Sequence, residues 1–356
     1  MKTIDSTGIK NVLILRTDHL GDLLLSTPLL RRLRTALPGR RFVLVSSPAN
    51  AGALSGWDAI DEELVFDPAW PLSSKLRFIC ELRRTPWDLC LTLSPRTRSY
   101  VLGRLSGAPL RTGIIYPRRV LVRLLGRLWL SHPVYINSRP LIEAGQPVQH
   151  EVLQLFRIAG QLGLPEAAPG PLEFPLDPAE AAWAGGWLAD NDACDRSVAL
   201  IGIHGAGKWL SGGWTAENFL ALVRTLANLR PDIRVVLTFG PGDTELQATV
   251  ETALASDPVP GVLLPGQLPV ARWAALISHC KVLVTPDTGS LHLAVALGRP
   301  VAALYESRNF LHCSSQWAPW QVPHAVVCRE SPTATLPRLA DETLRLLALS
   351  KTEARS

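Results

Sequence analysis

The stretch VLILRTDHLGDLLLSTPLLRRLRTALPGRRFVLVS, residues 12–46, opens on Val12 to Arg16, a short apolar run typical of a buried parallel strand. Gly21 marks a turn, an amphipathic segment runs from Leu23 to Leu37, and Phe42 to Ser46 is apolar again. Strand, helix, strand in that order make a βαβ unit, because parallel strands need a long crossover between them.

The alternation continues. Leu89 to Leu93 and Arg111 to Ile115 are candidate strands, with helices expected around Leu72 to Arg84 and His150 to Leu162. LPEAAPGPLEFPLDP, residues 164–178, has five prolines and no helical period, which marks a linker. A second series follows, with strands at Val198 to His204, Arg234 to Phe239, Gly261 to Leu264, Val282 to Thr285 and Val301 to Tyr305. Helices are expected between them at Thr215 to Leu229, Asp243 to Leu254, Pro269 to Ser278 and Ser290 to Leu297. The fold class is therefore α/β, two Rossmann-like parallel-sheet domains. We expect an N-terminal domain at 1–165, a linker region at 166–192, a C-terminal domain at 193–335, and a terminal helix within 336–356 that packs back on the N-terminal domain. Ligands of open parallel sheets bind beyond the carboxyl ends of the strands, so the loops there are expected to line one cleft between the domains.

Composition narrows the classes. A chain of 356 residues, 47% hydrophobic, can bury two cores. No apolar run is long enough for a membrane span, and MKTIDSTGIKN at the start lacks the apolar stretch of a signal peptide. A soluble, cytoplasmic chain is expected. The six cysteines show no CxxC or Cys/His spacing, so neither zinc nor a disulfide framework is indicated. Charge is unevenly divided: residues 1–157 hold 22 Lys and Arg against 12 Asp and Glu, the remainder 14 against 19. Residues 89–142 hold nine arginines, among them Arg96, Arg98, Arg119 and Arg123, and no acid at all. Such a field attracts phosphates, nucleic acid or an anionic membrane surface.

The loops at the strand ends carry the chemistry. In PDTGSLHLAVALGRP, residues 286–300, a strand ends, the chain turns through Asp287, and Thr288, Gly289 and Ser290 begin a helix. Its unpaired N–H groups and dipole make an anion site, Gly289 lets a phosphate approach, and His292 can add a contact from the first turn. Alone, the same pattern is an ordinary capped helix. Two companions shift the balance. IGIHGAGKWLSGGW, residues 201–214, runs past a strand end through glycines, including Gly205 and Gly207, with Lys208 among them, a loop able to wrap phosphates. In LTFGPGDTE, residues 237–245, Asp243 or Glu245 is suited to ribose hydroxyls. Three such loops in one domain point to a nucleotide diphosphate. In the other domain, RTDHLGDLLLSTP places Asp22 at the start of a helix, with Asp18 as its competitor. A carboxylate there is stabilised as an anion, which suits a base better than an acid.

Together these segments, in order over roughly residues 11–305, resemble glycosyltransferase family 9, whose best-known members are the ADP-heptose:lipopolysaccharide heptosyltransferases. The resemblance implies a GT-B fold and an inverting transfer that needs neither metal nor cofactor, with the donor in the C-terminal domain and the acceptor in the N-terminal one. Position by position, it makes Asp22 the catalytic base and gives Asp287, Thr288, Gly289 and His292 the donor diphosphate and sugar. Leu268 falls where the family contacts the nucleotide base, and Asp243 or Glu245 where it holds ribose. One departure matters: the family's lysine two residues before the position of Trp214 is here Gly212. Lys208 is then the cation left to meet the phosphates.

The basic half bears on the acceptor. Arg119, Arg123 and Arg127 recur every fourth residue, with Leu121, Leu124, Leu125 and Leu128 on another face. This suits a helix at an anionic membrane surface, a groove for a phosphorylated glycolipid, or a solvated surface helix packed on the core. An anionic glycolipid such as lipopolysaccharide core is the expected acceptor, met at the inner face of the cytoplasmic membrane, with Arg16 nearest Asp22. Nucleic acid is not expected as a partner, since few aromatics interleave the arginines. A nucleotide-sugar-binding protein without catalysis is the other alternative, against which the retained Asp22 argues. Asp190 and Asp192 form an Asp-x-Asp pair far from every glycine loop and read as solvated, so no metal site is expected.

Overall fold

The computed structural model describes residues 4–116, 120–195 and 197–353. The chain divides into two units, Met1–Pro175 and Leu176–Ser356.

In the first unit, strands β1 (Asn11–Leu15), β2 (Arg41–Ser46), β3 (Glu62–Val65), β4 (Leu89–Thr92), β5 (Leu110–Ile115) and β6 (His132–Tyr135) form one sheet. Its order is β3-β2-β1-β4-β5-β6, and every pairing is parallel. The central strands are uninterrupted apolar runs, with Val12, Leu13, Ile14, Leu15, Leu89 and Leu91 all fully buried, as a sheet covered on both faces requires. The helices are α1 (Leu20–Leu25), α2 (Thr27–Ala36), α3 (Leu72–Leu82), α4 (Thr97–Leu105), α5 (Val120–Trp129), α6 (Arg139–Glu143) and α7 (Glu151–Gln161). The single amphipathic segment expected over 23–37 is two helices. They part at Ser26, whose hydroxyl bonds back to the Asp22 carbonyl, and Pro28 supplies a first-turn position that needs no N–H donor.

The second unit repeats the plan. It begins with α8 (Pro178–Asp190) and continues through β7 (Ala199–Gly205), a 3₁₀ segment (Gly207–Gly213), α9 (Ala216–Ala227), β8 (Ile233–Phe239), α10 (Thr244–Ser256) and β9 (Val262–Leu263). Then come α11 (Val270–Ser278), β10 (Val282–Pro286), α12 (Gly289–Ala296), β11 (Val301–Tyr305), α13 (Phe310–Gln316), β12 (His324–Cys328) and α14 (Pro332–Glu353). The order β12-β11-β10-β7-β8-β9 is the first sheet's order with each strand in the corresponding place. Both are the doubly wound order, which reverses direction beside the first strand and opens a crevice there, between β1 and β4 in one unit and β7 and β10 in the other.

Two expected boundaries differ. The region 166–192 is not all linker: Asp177 caps α8 through Ala179 N–H, and this helix packs on α11, with Arg272 bonded to Glu180 at 2.7 Å and stacked over Trp183. The terminal helix α14 lies against β10, β11, β12 and α9 of its own unit, where Leu339, Leu346 and Leu347 are buried.

Candidate active site

Both switch points gather the charged loops. In the first unit, the loop after β1 holds residues 16–19, and Asp22 sits in the first turn of α1, its side chain 30% exposed and its Oδ2 accepting from His19 N–H at 3.4 Å. Beneath it lies Arg16, 1% exposed, which donates to the Asp22 carbonyl through Nε (2.8 Å) and Nη2 (2.6 Å) and to the Leu93 carbonyl through Nη1 (2.5 Å). The same guanidinium pairs with Asp18 at 3.3 Å and stands 3.7 Å from Asp22 Oδ1. Burial works against the Arg16 charge, yet Asp18, Asp22 and Glu151 outweigh it and raise its pKa. Burial also raises the Asp18 carboxyl, against the pull of Arg16. Arg16 therefore reaches Asp22 as expected, but it is no surface contact for an acceptor: its donors are spent on the protein, and it fixes the turn that presents Asp22.

From β4 across the switch point come Arg96 and Arg98. Arg96 Nη2 lies 3.4 Å from His19 Nε2, and Arg98 Nη2 donates to the Thr17 carbonyl at 2.6 Å. Ser47 and Asn50, after β2, donate to the Asp18 carbonyl. Arg123 is exposed on α5 rather than gathered at this loop, and Arg119 falls outside the described residues. Sequence reading passed over Tyr116 and Glu151, which meet behind Arg16: Tyr116 Oη donates to Glu151 Oε2 (3.2 Å) and Gln154 Oε1 (3.0 Å). Burial, then the Glu151 charge, pushes the Tyr116 hydroxyl well above its usual pKa. A lone tyrosine after a strand and a glutamate opening a helix gave no motif.

In the second unit, α12 begins at the end of β10. Its N-cap, Thr288, is extended and makes no side-chain cap, so its hydroxyl does not bond the N–H groups at the start of the helix. Instead the hydroxyls bond to one another, Thr288 to Ser290 at 2.6 Å and Ser290 to Thr285 at 2.5 Å. Lys208, from the loop after β7, reaches across the switch point: its ammonium bonds the Asp287 carbonyl and lies 3.1 Å from Asp287 Oδ2, still 43% exposed. Gly207 N–H donates to Asp243 Oδ1 at 2.6 Å, which ties the loop after β7 to the one after β8. Glu245 is exposed two residues on, in the first turn of α10, and Leu268 is half-buried before α11. Gly205 serves packing, for a Cβ there would lie 2.4 Å from the Phe239 ring. His292 is buried in the first turns of α12.

The glycine that replaces the expected lysine has a structural cause. Gly212 takes φ +66, and a Cβ on it would stand 2.9 Å from Arg329 Cδ. Arg329, 3% exposed, binds the carbonyls of Lys208 (2.7 Å) and Trp209 (3.0 Å) and pairs with Glu306 at 3.0 Å. One buried guanidinium thus shapes the whole 3₁₀ loop. His204 is likewise buried, 4.7 Å from the Trp273 ring and bonded to Thr238, and burial lowers its pKa to about 4. Among the described residues, no three His, Cys, Asp or Glu side chains are grouped to hold a metal ion.

Residues 75–342 match the sequence description of glycosyltransferase family 9 (heptosyltransferase), three-quarters of the chain. The chain belongs to glycosyltransferase family 9. It is similar to lipopolysaccharide heptosyltransferase 2 of Salmonella typhimurium, 25% identical over 304 residues that cover 83% of this chain and 82% of the relative. Lipopolysaccharide heptosyltransferase 3 of Escherichia coli is 21% identical over 311 residues, covering 84% and 82%. Among solved structures, a family 9 glycosyl transferase from Veillonella parvula superposes with TM-score 0.79 at 20% identity, over 97% of this chain and 98% of that one. The E. coli ADP-heptose LPS heptosyltransferase II gives 0.73 at 20% identity, over 96% and 100%. This family 9 chain is thus a glycosyltransferase, with the two Rossmann-like domains of the GT-B type.

Proposed function

We propose that this family 9 enzyme transfers a heptose from an ADP-linked donor to an anionic glycolipid such as lipopolysaccharide core, with inversion and without metal or cofactor. The observation that carries the reading is the start of α12, a helix terminus left uncapped by its own hydroxyls with Lys208 held on Asp287 beside it. Helix N–H groups, the dipole and an ammonium together stabilise the negative charge that grows on a departing diphosphate. In the first unit, Asp22 takes the proton of the acceptor hydroxyl as its oxygen bonds to the anomeric carbon. The anomeric C–O bond to the diphosphate breaks on the opposite face, and the nucleoside diphosphate leaves with the electron pair. Asp243 or Glu245 holds the ribose and Leu268 the base, while Arg96 and Arg98 meet acceptor phosphates.

Calorimetry with ADP, UDP, GDP and dTDP, with and without EDTA, tests the donor. Selective ADP binding that survives EDTA and disappears in Thr288→Arg supports the reading, and no binding of any of the four sinks it. Asp22→Asn should then lose transfer by about 10²–10⁴-fold with ADP affinity unchanged. Gly212 favours one variation, a family 9 transfer from another nucleotide sugar, which preferential binding of a base other than adenine would reveal.

A further inference from the structure

Helix α5 uses one face for the sheet and leaves the other uncovered. Gly126 seats it closely, since a Cβ there would stand 2.7 Å from Ile115 Cδ1, and Val122 is buried with Ile115 and Tyr100. Away from that face, Val120, Leu121, Leu124 and Leu128 are 67%, 57%, 62% and 71% exposed. At 3.6 residues per turn these four fall within about a third of the helix circumference, and Arg123 and Arg127, both exposed, border them on one side. Helix α4, packed beside α5, adds exposed Arg104 and Leu105.

The chemistry of the occupant follows from this pattern. Four aliphatic side chains on a convex surface are stabilised by an apolar phase, and the arginines at their border require anions where that phase ends. No acid in residues 89–142 opposes such anions. An anionic bilayer offers both, acyl chains inside and phosphates at the rim. We propose that α5 docks the enzyme onto an anionic membrane surface, with its leucines entering the acyl boundary and Arg123 and Arg127 on lipid phosphates. The inference rests on the sugar-transfer reading only for why a membrane is met at all; the surface is read from α5 itself.

The test is flotation of the full chain with vesicles of phosphatidylcholine alone or mixed with phosphatidylglycerol, at low and high salt. Binding to the mixed vesicles, weakened by salt, is expected. Arg123→Gln with Arg127→Gln should lower it about thirtyfold, at one unit of lipid attraction per arginine, and flatten its salt dependence. Leu124→Glu with Leu128→Glu should lower it about tenfold or more on either composition. Leu72→Glu with Leu76→Glu, on the exposed part of α3, should leave it unchanged. Circular dichroism and ADP calorimetry on every preparation keep folding and the donor reading separate: lost ADP binding with intact flotation would count against the donor alone. The proposal is overturned if the wild type ignores mixed vesicles, or if both α5 variants float like it. A dimer in sedimentation that Leu124→Glu with Leu128→Glu dissolves, without vesicle binding, would overturn it too, making a second copy the occupant.

Discussion

Arg16 shows how much of the candidate site rests on a side chain buried beneath it. It is buried, holds the Asp22 carbonyl with two N–H groups, and compensates Asp18. Arg16→Met leaves the buried Asp18 carboxylate without its cation and the Leu93 carbonyl without the guanidinium donor, while the Asp22 carbonyl keeps only the Ser26 hydroxyl, so a loss of about 3–5 kcal/mol in urea unfolding is expected. A loss below about 1 kcal/mol would mean the turn is held by its other bonds. His204 adds a pH dependence. Burial holds its pKa near 4 in the folded state, below the unfolded value, so the unfolded chain binds the extra proton between about pH 6.5 and 4. Stability from this group is therefore present above pH 6.5 and lost as pH falls toward 4, by about 3 kcal/mol in all. Urea midpoints across that range should fall less steeply in His204→Gln than in the wild type.

At the scale of elements, the loop after β7 is organised from a distant strand. Arg329 follows β12, far along the chain, yet its contacts decide the path of residues 208–212. Placing at this position the lysine that the resemblance implied, Gly212→Lys, should therefore weaken ADP binding rather than strengthen it. The side chain meets Arg329 Cδ, and φ +66 costs a non-glycine residue about 1–3 kcal/mol. Tighter ADP binding in that variant would show that the loop re-forms around the lysine. The elements missed in the sequence have similar causes. Strand β3 is EELV and β6 is HPVY, edge strands whose charges and proline break the apolar run that marks a central strand. The α1–α2 break hides because leucines continue across Ser26.

For the whole molecule, the repeated strand order gives each unit one crevice, and the loops with chemistry fall at both. ADP at 100 times its Kd should raise the opening free energy of the second unit by about 2.7 kcal/mol. Hydrogen exchange should show this as slower exchange in β7, β10 and α12, with or without EDTA. Unchanged exchange there at saturating nucleotide would place binding elsewhere.

The sequence by itself determined the two α/β units, most central strands, and the neighbourhoods of Asp22, Lys208 and Thr288. Those signals are local: apolar runs, glycines at strand ends, a small first turn in a helix. Tertiary structure alone decided that Arg16 is a buried support instead of a surface contact, that Gly205 makes room for a ring, and that Arg329 stands beside Gly212. It also decided which face of α5 is left to solvent. Each of these depends on what a parallel sheet brings together from residues far apart in the chain, and hydrophobic periodicity carries no record of such pairings.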